Sequence, residues 1–151
     1  MKTIRELLKA KGEGPVYAVT PQDTVFDAVT RMVEHRVGAM LVKEGEVIAG
    51  IVTERDYLRF IAVKGRTARD TPVSDIMTAK VIYVTPDTTL DDVMTIMTAQ
   101  RIRHVPVLDN DKLLGIISIG DVVKQIAHEQ ETKISALESY IYDPYPGPAR
   151  S

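Results

Sequence analysis

Two stretches of the chain repeat one another, and they decide how the rest of the sequence is read. VTPQDTVFDAVTRM runs from Val19 to Met32, and VTPDTTLDDVMTIM runs from Val84 to Met97. The same offset of 65 residues aligns further pairs without a gap: Arg36 with Arg101, Val42 with Val107, Gly50 with Gly115, and Asp56 with Asp121. Because a chance match does not keep its register over this length, the chain contains a duplicated unit of about 60 residues.

A shorter match precedes the two copies. IRELL, from Ile4 to Leu8, matches VSDIM, from Val73 to Met77, only at an offset of 69 residues. The first copy therefore has a longer loop, around Gly12 to Pro15.

Each copy shows the same order of predicted elements. Thr24 and Thr89 are followed three positions later by an aspartate, a pattern typical of helix N-caps. Apolar residues then recur at i, i+3, i+4 and i+7, which predicts a helix with one buried face: Val25, Ala28, Val29 and Met32, and in the second copy Leu90, Val93, Met94 and Met97. AMLV and VPVL, each followed by a polar turn and then VIAGIVT or KLLGIIS, predict hairpins. A second helix is expected to open at Glu54 and at Ile119.

The repeat and the chain length define the domain organisation. A unit of about 60 residues is marginal alone, so we expect the two copies to pack into one α/β (α+β) body with pseudo-twofold symmetry. The predicted segments of this single module are repeat 1 with an N-terminal helix over 1–64, a linker with a short helix over 65–78, repeat 2 over 79–128, a helical extension over 129–142 and a flexible tail over 143–151. Three cations cluster near the linker: Lys64, Arg66 and Arg69.

The last predicted helix continues past the repeat. A seven-residue rhythm runs through Val123, Ala127, Gln130, Ile134, Leu137 and Ile141. Such a stripe can fold back on its own domain or meet a second molecule, and the sequence leaves both open. We expect a homodimer, because a twofold contact is the commonest way to cover such a surface.

Composition excludes several classes of function. Apolar residues make up 44% of the 151 residues and charged residues 26%, which are ordinary globular values. The net charge of −2 is too balanced for binding nucleic acid or an anionic membrane through overall charge. Without cysteine there is no disulfide framework, thiol catalysis or zinc-thiolate cluster. No apolar run reaches about 18 residues, and the start lacks the apolar core of a signal peptide, so we expect a cytoplasmic protein.

Two equivalent strand ends are the first candidates for a ligand site. GIVTERD, from Gly50 to Asp56, and GIISIGD, from Gly115 to Asp121, each lead from a predicted strand into a predicted helix. Backbone N–H groups at a helix N-terminus favour an anionic or polar ligand, and a carboxylate can accept both hydroxyls of a ribose. The same Thr/Ser-x-x-Asp spacing is also a capping box, and the spacing alone does not separate the two roles.

A cationic pair distinguishes the second copy from the first. RIRHVPV, from Arg101 to Val107, places Arg103 and His104 at the start of a strand, and arginine pairs readily with phosphate oxygens. The first copy has Gly38 and Ala39 at the matching positions. The two sites are therefore expected to differ.

Metal binding and catalysis lack candidate residues. His35, His104 and His128 occur in unrelated contexts without a spaced second ligand, so no metal site is predicted. Ser118 and Thr53 have no nearby base that would activate them as nucleophiles.

Taken together, the V-T-P repeats, the amphipathic helices, R-I-R-H-V-P-V and the two G-h-h-[ST]-x-x-D strand ends resemble a pair of CBS domains, the cystathionine-β-synthase type. The resemblance covers Val16 to Ala127, and the chain is similar to small stand-alone bacterial CBS-pair proteins. It implies a β-α-β-β-α unit, two clefts in an intramolecular pair and often a homodimer. It also implies adenosyl ligands: AMP, ADP, ATP, and in some members S-adenosylmethionine or NAD(H).

The resemblance also implies site residues. Asp56 and Asp121 would hold ribose hydroxyls, and Thr53 and Ser118 would meet the ribose or phosphate. The phosphate would be neutralised by Arg103 and His104, with Pro106 of the same stretch beside them and with Arg55 in the first cleft. The backbone at Tyr17 and Ala18, and at Ile82 and Tyr83, would contact adenine. Lys64, Arg66 and Arg69 could supply the charge that the first copy lacks.

The predicted function is a non-enzymatic adenine-nucleotide sensor that modulates a partner protein. The alternative is a structural homodimerisation module with vestigial clefts. A nucleotide-processing enzyme is a third hypothesis, which lacks a base or a metal site.

Overall fold

The computed structural model describes residues 2–12 and 14–128, and its elements follow the duplicated order that the sequence predicts. The helices are α1 (Ile4–Lys11), α2 (Val25–His35), α3 (Glu54–Tyr57), α4 (Leu90–Gln100) and α5 (Ile119–His128). The strands are β1 (Ala18–Val19), β2 (Ala39–Glu44), β3 (Val47–Thr53), β4 (His104–Asp109) and β5 (Lys112–Ser118). The predicted extension over 129–142 and tail over 143–151 lie outside the described residues. Within the stripe, Val123 is 44% exposed.

The contacts divide the described chain into two compact units. Residues 14–83 form the first-repeat unit, and residues 2–12 with 84–128 form the second-repeat unit. This division differs from the predicted segments, because α1 packs with the second copy and the linker packs with the first. A repeat in the sequence shows which segments are equivalent, but it does not show which copy each flanking segment packs against.

The first-repeat unit is a three-stranded sheet covered by α2. β1 pairs in parallel with β2, and β2 pairs antiparallel with β3. The segment after α3 is a π-helical turn, Leu58–Val63, and Gly65 with a φ of 72° follows it. The core of the unit contains ten buried residues: Val19, Val25, Ala28, Met32, Met40, Val42, Val52, Ile61, Val73 and Ile76.

The second-repeat unit has the same plan with a smaller sheet. β4 and β5 form a hairpin, and the strand expected before Val84 is reduced to a single parallel bridge from Val84 to Val107. Both hairpins shift register at the equivalent place, Val42/Lys43 and Val107/Leu108. The core contains Ile4, Leu7, Val84, Leu90, Val93, Met97, Val105, Val107, Ile117 and Val122. The buried residues confirm the apolar faces predicted for α2 and α4.

The predicted helix starts are confirmed by their caps. The Thr24 hydroxyl accepts a hydrogen bond from Asp27 N, and the Thr89 hydroxyl accepts one from Asp92 N. At α2 the aspartate also accepts from the backbone N–H of Thr24, which completes a capping box. Each cap satisfies N–H groups that have no partner inside the helix.

Each repeat body is completed by the segment that precedes the other copy in the sequence. Ile4 N donates to Thr88 O at 2.9 Å, and the equivalent Val73 N donates to Asp23 O at 2.8 Å. Two further bonds are repeated in the same way: Arg5 N to Pro86 O with Ser74 N to Pro21 O, and Leu90 N to Lys2 O with Val25 N to Thr71 O. The segments that match at the offset of 69 are therefore docked equivalently, α1 in the second-repeat unit and Val73–Met77 in the first.

Gly50 and Gly115 lie beneath these docked segments at equivalent strand positions. A Cβ on Gly50 would lie 2.7 Å from the Thr78 backbone oxygen and 2.8 Å from Met77 Sδ. A Cβ on Gly115 would meet only Leu8 Cδ2, at 3.5 Å. The linker therefore approaches the strand more closely in the first-repeat unit than α1 does in the second.

This difference predicts that Gly50→Ala is destabilising and that Gly115→Ala is tolerated. The added methyl at position 50 must displace backbone, which typically costs about 1–3 kcal/mol. The methyl at position 115 fits at an ordinary contact distance, and alanine has less conformational entropy to lose than glycine. Denaturant unfolding of both variants measures the effect, and equal losses would contradict this explanation.

Candidate functional site

In the second-repeat unit the candidate site is the junction of β5 with α5. The backbone N–H of Ser118 donates to Asp121 Oδ2 at 2.8 Å, and the Asp121 N–H donates to Ser118 Oγ at 3.1 Å. The strand thus ends in a hydrogen-bonded cap that places the carboxylate beside the first turn of α5. The Asp121 side chain is 27% exposed, so solvent and small molecules reach it.

The first-repeat unit has the same arrangement at the junction of β3 with α3. Asp56 Oδ2 accepts from the Thr53 N–H at 2.9 Å and from the Thr53 hydroxyl at 3.1 Å. The Asp56 N–H donates to Thr53 Oγ1 at 3.2 Å. Asp56 is buried, with 8% of its surface exposed. The capping role of these residues is therefore confirmed in both copies.

Capping does not use all of a carboxylate's capacity. Two oxygens offer about four lone-pair positions, and the capping bonds at both sites end on Oδ2. An aspartate held in this way has a fixed orientation, which is what a ribose acceptor requires.

The structure brings the cationic pair of the second copy to its strand end. His104 is the cross-strand partner of Ser118, and Arg103 O accepts from Ile119 N at 2.8 Å. In the first-repeat unit Ala39 pairs with Thr53, and Gly38 O accepts from Glu54 N at 3.0 Å. The backbone geometry of the two junctions is therefore the same. They differ in side-chain charge, as the sequence predicts, because Arg103 and His104 of the second copy replace Gly38 and Ala39 of the first.

Lys11 is a residue of the second site that sequence reasoning missed. Its ammonium donates to Asp121 Oδ2 at 3.0 Å and to Ile116 O at 2.9 Å. Lys11 is the last residue of α1, and it reaches the site because α1 packs in the second-repeat unit. Its position in the sequence carries no signal for this contact, since the partner lies 110 residues away.

The two aspartates differ in their acidity. Burial raises the pKa of Asp56 above its ordinary value of 3.8, and outweighs the hydrogen bonds from Thr53 and the attraction of Arg59 and Arg55. Burial also acts on Asp121, but the hydrogen bonds from Ser118 and Lys11 and the charge of Lys11 together lower its pKa below 3.8. The site with the lysine therefore stabilises an ionised carboxylate.

The residues expected beside adenine already have partners within their units. The ring of Tyr17 stacks on His35 with centroids 3.7 Å apart, and Ala18 O accepts from Arg31 at 3.4 Å. The sequence reasoning missed Arg31 and His35 here. Ile82 is partly buried and Tyr83 is 55% exposed, at the end of the first-repeat unit.

Pro106, which is expected beside Arg103 and His104, lies in the second-repeat unit. Val84 N donates to Pro106 O at 3.0 Å, and Pro106 itself is buried in β4.

The linker cations bind groups other than the two aspartates. Arg66 pairs with Asp75 at 2.7 Å, Lys64 lies over the Phe60 ring at 4.8 Å, and Arg69 lies over the Phe26 ring at 3.9 Å. These contacts lie within the first-repeat unit and account for the cluster without a phosphate. Arg55 is exposed on α3 next to Asp56.

Residues 2–12 and 14–128 contain no group of three or more histidine, aspartate or glutamate side chains placed to hold a metal ion. None of the helices in these ranges is long and apolar enough to cross a membrane.

Replacing each carboxylate by its amide should separate the two sites. Asp121→Asn removes the charge that pairs with Lys11, and we expect it to lower the free energy of unfolding by about 1 kcal/mol near neutral pH. Asp56→Asn removes a charge that burial disfavours and keeps an oxygen for the cap, so its loss should be smaller. Denaturant unfolding of the parent and both variants measures the difference.

The change in the free energy of unfolding that each amide variant causes, relative to the parent, should depend on pH with opposite sign at the two sites. The lowered pKa of Asp121 gives a stabilisation that is present above pH 3.8 and is lost as the pH falls through its folded-state pKa. The raised pKa of Asp56 means that its ionised form costs stability above its folded-state pKa, and this cost disappears as the pH falls towards 3.8. Matching profiles for Asp56→Asn and Asp121→Asn would contradict the assignment.

Comparison with known proteins places both junctions in a known family. A family model described as CBS domain matches residues 3–63 and 73–128. A protein of Arabidopsis thaliana named "CBS domain-containing protein CBSX3, mitochondrial" is 46% identical over 151 residues, which cover 95% of this chain and 73% of that protein.

Solved structures of CBS-domain proteins share the fold. One from Burkholderia ambifaria has 49% sequence identity and a TM-score of 0.83, covering 85% of this chain and 96% of that chain. The CBS domain pair of protein MJ0100, solved in complex with 5′-methylthioadenosine and S-adenosyl-L-methionine, has a TM-score of 0.74. Its identity of 20%, over 86% of this chain and 99% of that chain, shows a likeness of fold alone. With both segments matched, the chain belongs to the CBS-domain family as a pair of CBS domains.

Proposed function

We propose that this CBS pair is a non-enzymatic sensor of adenine nucleotides that modulates a partner protein. AMP, ADP and ATP are the proposed ligands, with NAD(H) as a further candidate. The observation that carries the proposal is the duplicated junction, in which a capped aspartate lies at the end of a strand and the start of a helix. In the second copy this junction lies next to Arg103 and His104.

The chemistry of the second junction suits a nucleotide. Asp121 can accept hydrogen bonds from a ribose diol, and it lies at the N-terminus of α5, the positive end of a ten-residue helix dipole. Arg103 adds a guanidinium that can bind phosphate oxygens in a bidentate manner. We therefore propose Asp121 and Ser118 as ribose-side residues, and Arg103 and His104 as phosphate-side residues.

The first junction is the second proposed site. Asp56 and Thr53 would take the ribose side and Arg55 the phosphate side. Since Gly38 and Ala39 replace the cationic pair there, we expect the first site to hold phosphates less strongly. The backbone at Tyr17, Ala18, Ile82 and Tyr83 remains the proposed contact of adenine. Pro106 remains a proposed nucleotide contact beside Arg103 and His104.

Support for an adenosyl ligand also comes from a protein with the same fold. The CBS pair of MJ0100 was solved with two adenosyl compounds. A ligand changes the activity of a partner only if it binds two conformations of the sensor with different affinity. The partner of this chain would be a protein that distinguishes these conformations.

The non-enzymatic part of the proposal rests on how the hydroxyls are used. The hydroxyls of Thr53 and Ser118 take part in capping hydrogen bonds with their aspartates. A hydroxyl acts as a nucleophile when a base removes its proton. In both copies the hydroxyl accepts a hydrogen bond from the backbone N–H of the aspartate, and the carboxylate accepts one from the backbone N–H of Thr53 or Ser118, so we assign both groups to the cap. The cytoplasmic location also remains a prediction, since the name of the Arabidopsis relative places that protein in mitochondria.

The alternative function is a homodimerisation module whose ligand sites are vestigial. The first-repeat unit has an apolar groove with a volume of about 310 Å³, lined by Phe26, Val29, Thr30, Val33, Glu34, Tyr57 and Ala68. Val33 is 73% exposed and Val63 is 79% exposed. A second copy of the chain could cover this surface, with or without a nucleotide.

Millimolar AMP should stabilise ligand-free protein. A ligand at about 100 times its dissociation constant adds roughly 2.7 kcal/mol, and each kcal/mol raises the melting temperature of a chain of this size by roughly 2–4 °C. We therefore expect a shift of several degrees in a thermal melt. The absence of a shift with AMP, ADP, ATP and NADH would reject the sensor function.

Calorimetry on variants should then rank the two sites. Arg103→Ala and Asp121→Ala should weaken AMP binding about tenfold or more, because each removes a charge-assisted hydrogen bond. Lys112→Ala, which removes a cation at the opposite end of the same hairpin, is the matched control and should bind like the parent. If Asp56→Ala abolishes binding while Arg103→Ala and Asp121→Ala do not, the first site is the principal one.

The chain should be a homodimer in solution. Light scattering should report twice the chain mass of 16.8 kDa. Val33→Glu should weaken the dimer if the groove is covered, whereas Val47→Glu, at a similarly exposed valine in the β2–β3 hairpin, should not. Truncation after Gln130 tests the stripe. A monomer at high micromolar concentration would refute the prediction.

A further inference from the structure

We propose that Lys11 determines the ligand specificity of the second-repeat site, by making it prefer phosphorylated adenosine over neutral adenosyl compounds. The inference rests on the proposed function and names one selective residue of that site. It starts from the contact between the lysine ammonium and Asp121, the proposed acceptor of the ribose hydroxyls.

Lys11 is held at the site from both ends. Its backbone closes α1, whose Ile4 and Leu7 are 0% and 2% exposed in the core of the second-repeat unit. Its ammonium bridges Asp121 Oδ2 and Ile116 O at 3.0 and 2.9 Å. The side chains of Lys11 and Asp121 are 44% and 27% exposed, so a ligand can approach the pair from solvent.

The electrostatic consequence follows from the charge of the ribose acceptor. An ionised aspartate that binds the ribose also repels the phosphate attached to the same ribose, since both are anionic. A cation paired with the aspartate cancels that repulsion, and the effect is strongest in a partly desolvated site. A neutral ligand gains nothing from this cancellation, and it competes with the lysine for the same carboxylate oxygen.

The lysine can also follow the ligand. Its four-carbon stem is flexible and its ammonium has three donors. When ribose hydroxyls occupy Asp121, the ammonium can turn to a phosphate oxygen while α1 stays docked. Only a ligand with a phosphate gains this second contact, so the contact adds to the preference for AMP over adenosine.

The first-repeat site lacks an equivalent lysine–aspartate pair, although the sequence has a lysine at the matching position. Lys80 is the equivalent of Lys11 at the offset of 69. Among the described residues, no ion pair joins Lys80 to Asp56, and the cations that act on Asp56 are Arg59 and Arg55. The reason is the path of the backbone. The helix α1 continues to Lys11, whereas the short helical turn of the linker, Val73–Asp75, ends before Thr78, which forms a bridge with Ile51.

The test compares two ligands rather than one affinity. AMP and adenosine are titrated calorimetrically into the parent chain and into Lys11→Met, which keeps the apolar stem and removes the charge. Lys11→Arg keeps the charge, and Lys9→Met removes an exposed cation from the same last turn of α1. All titrations are repeated with Asp56→Ala, which removes the ribose acceptor of the first site.

The measured quantity is the ratio of the dissociation constants of adenosine and AMP. We expect this ratio to fall about threefold to tenfold in Lys11→Met, to be unchanged in Lys9→Met and to be largely kept in Lys11→Arg. If Lys11→Met weakens both ligands equally, or leaves both unchanged, Lys11 has no role in specificity and the proposed function stands. If the parent binds neither AMP nor adenosine, this inference fails, and the proposed function fails with it only if ADP, ATP and NADH do not bind either.

Discussion

The docking of a short segment onto a repeat that it does not belong to in the sequence is the constraint on which the described structure depends. Ile4 and Leu7 of α1 complete the core of the second copy, and Val73 and Ile76 of the linker complete the core of the first. The same backbone hydrogen bonds are made in both places. The second-repeat unit therefore combines two separate pieces of chain, residues 2–12 and 84–128, whereas the first-repeat unit is residues 14–83 and includes its docked segment. Removing either docked segment would take two buried residues from the core that it completes.

The same docking supplies chemistry to only one of the two junctions. In the second-repeat unit the docked segment is a helix that ends in Lys11, and the lysine reaches Asp121. In the first-repeat unit the docked segment passes so close to Gly50 that a methyl group would overlap with it. Two copies with the same capped aspartate thus acquire different charge environments, and the pKa of Asp56 is raised while that of Asp121 is lowered.

The double use of the strand-end aspartate connects stability with the proposed function. As a capping residue it satisfies N–H groups at the helix start, and as a proposed ribose acceptor it needs a fixed orientation. Because the capping bonds end on Oδ2 and leave acceptor capacity on the carboxylate, the spacing Thr/Ser-x-x-Asp can be read as a cap or as a ligand site. The structure shows that the capping interpretation holds, and the charged residues around the cap carry the argument for a ligand.

Local sequence patterns were sufficient for the elements, for their caps and for the presence of Arg103 and His104 at one junction and not at the other. Thr24 and Asp27 are three positions apart, so their hydrogen bond follows from local geometry, and the hairpin pattern places His104 opposite Ser118 once its turn is known. The repeat and the family resemblance predicted that Asp56 and Asp121 occupy equivalent positions at the two strand ends. The partners of the linker cations were not predictable, because Arg66 and Arg69 choose Asp75 and the Phe26 ring only after the linker has packed.

The duplicated fold, the helix starts and the difference between Arg103–His104 and Gly38–Ala39 could all be predicted from the amino-acid sequence. These features depend on residues a few positions apart or on the comparison of two copies. Which copy each flanking segment completes depends on long-range packing, and this packing places Lys11 on Asp121 and leaves Lys80 without an ion pair to Asp56. That choice depends on packing between residues far apart in the chain, and two lysines at equivalent repeat positions give no local indication of it.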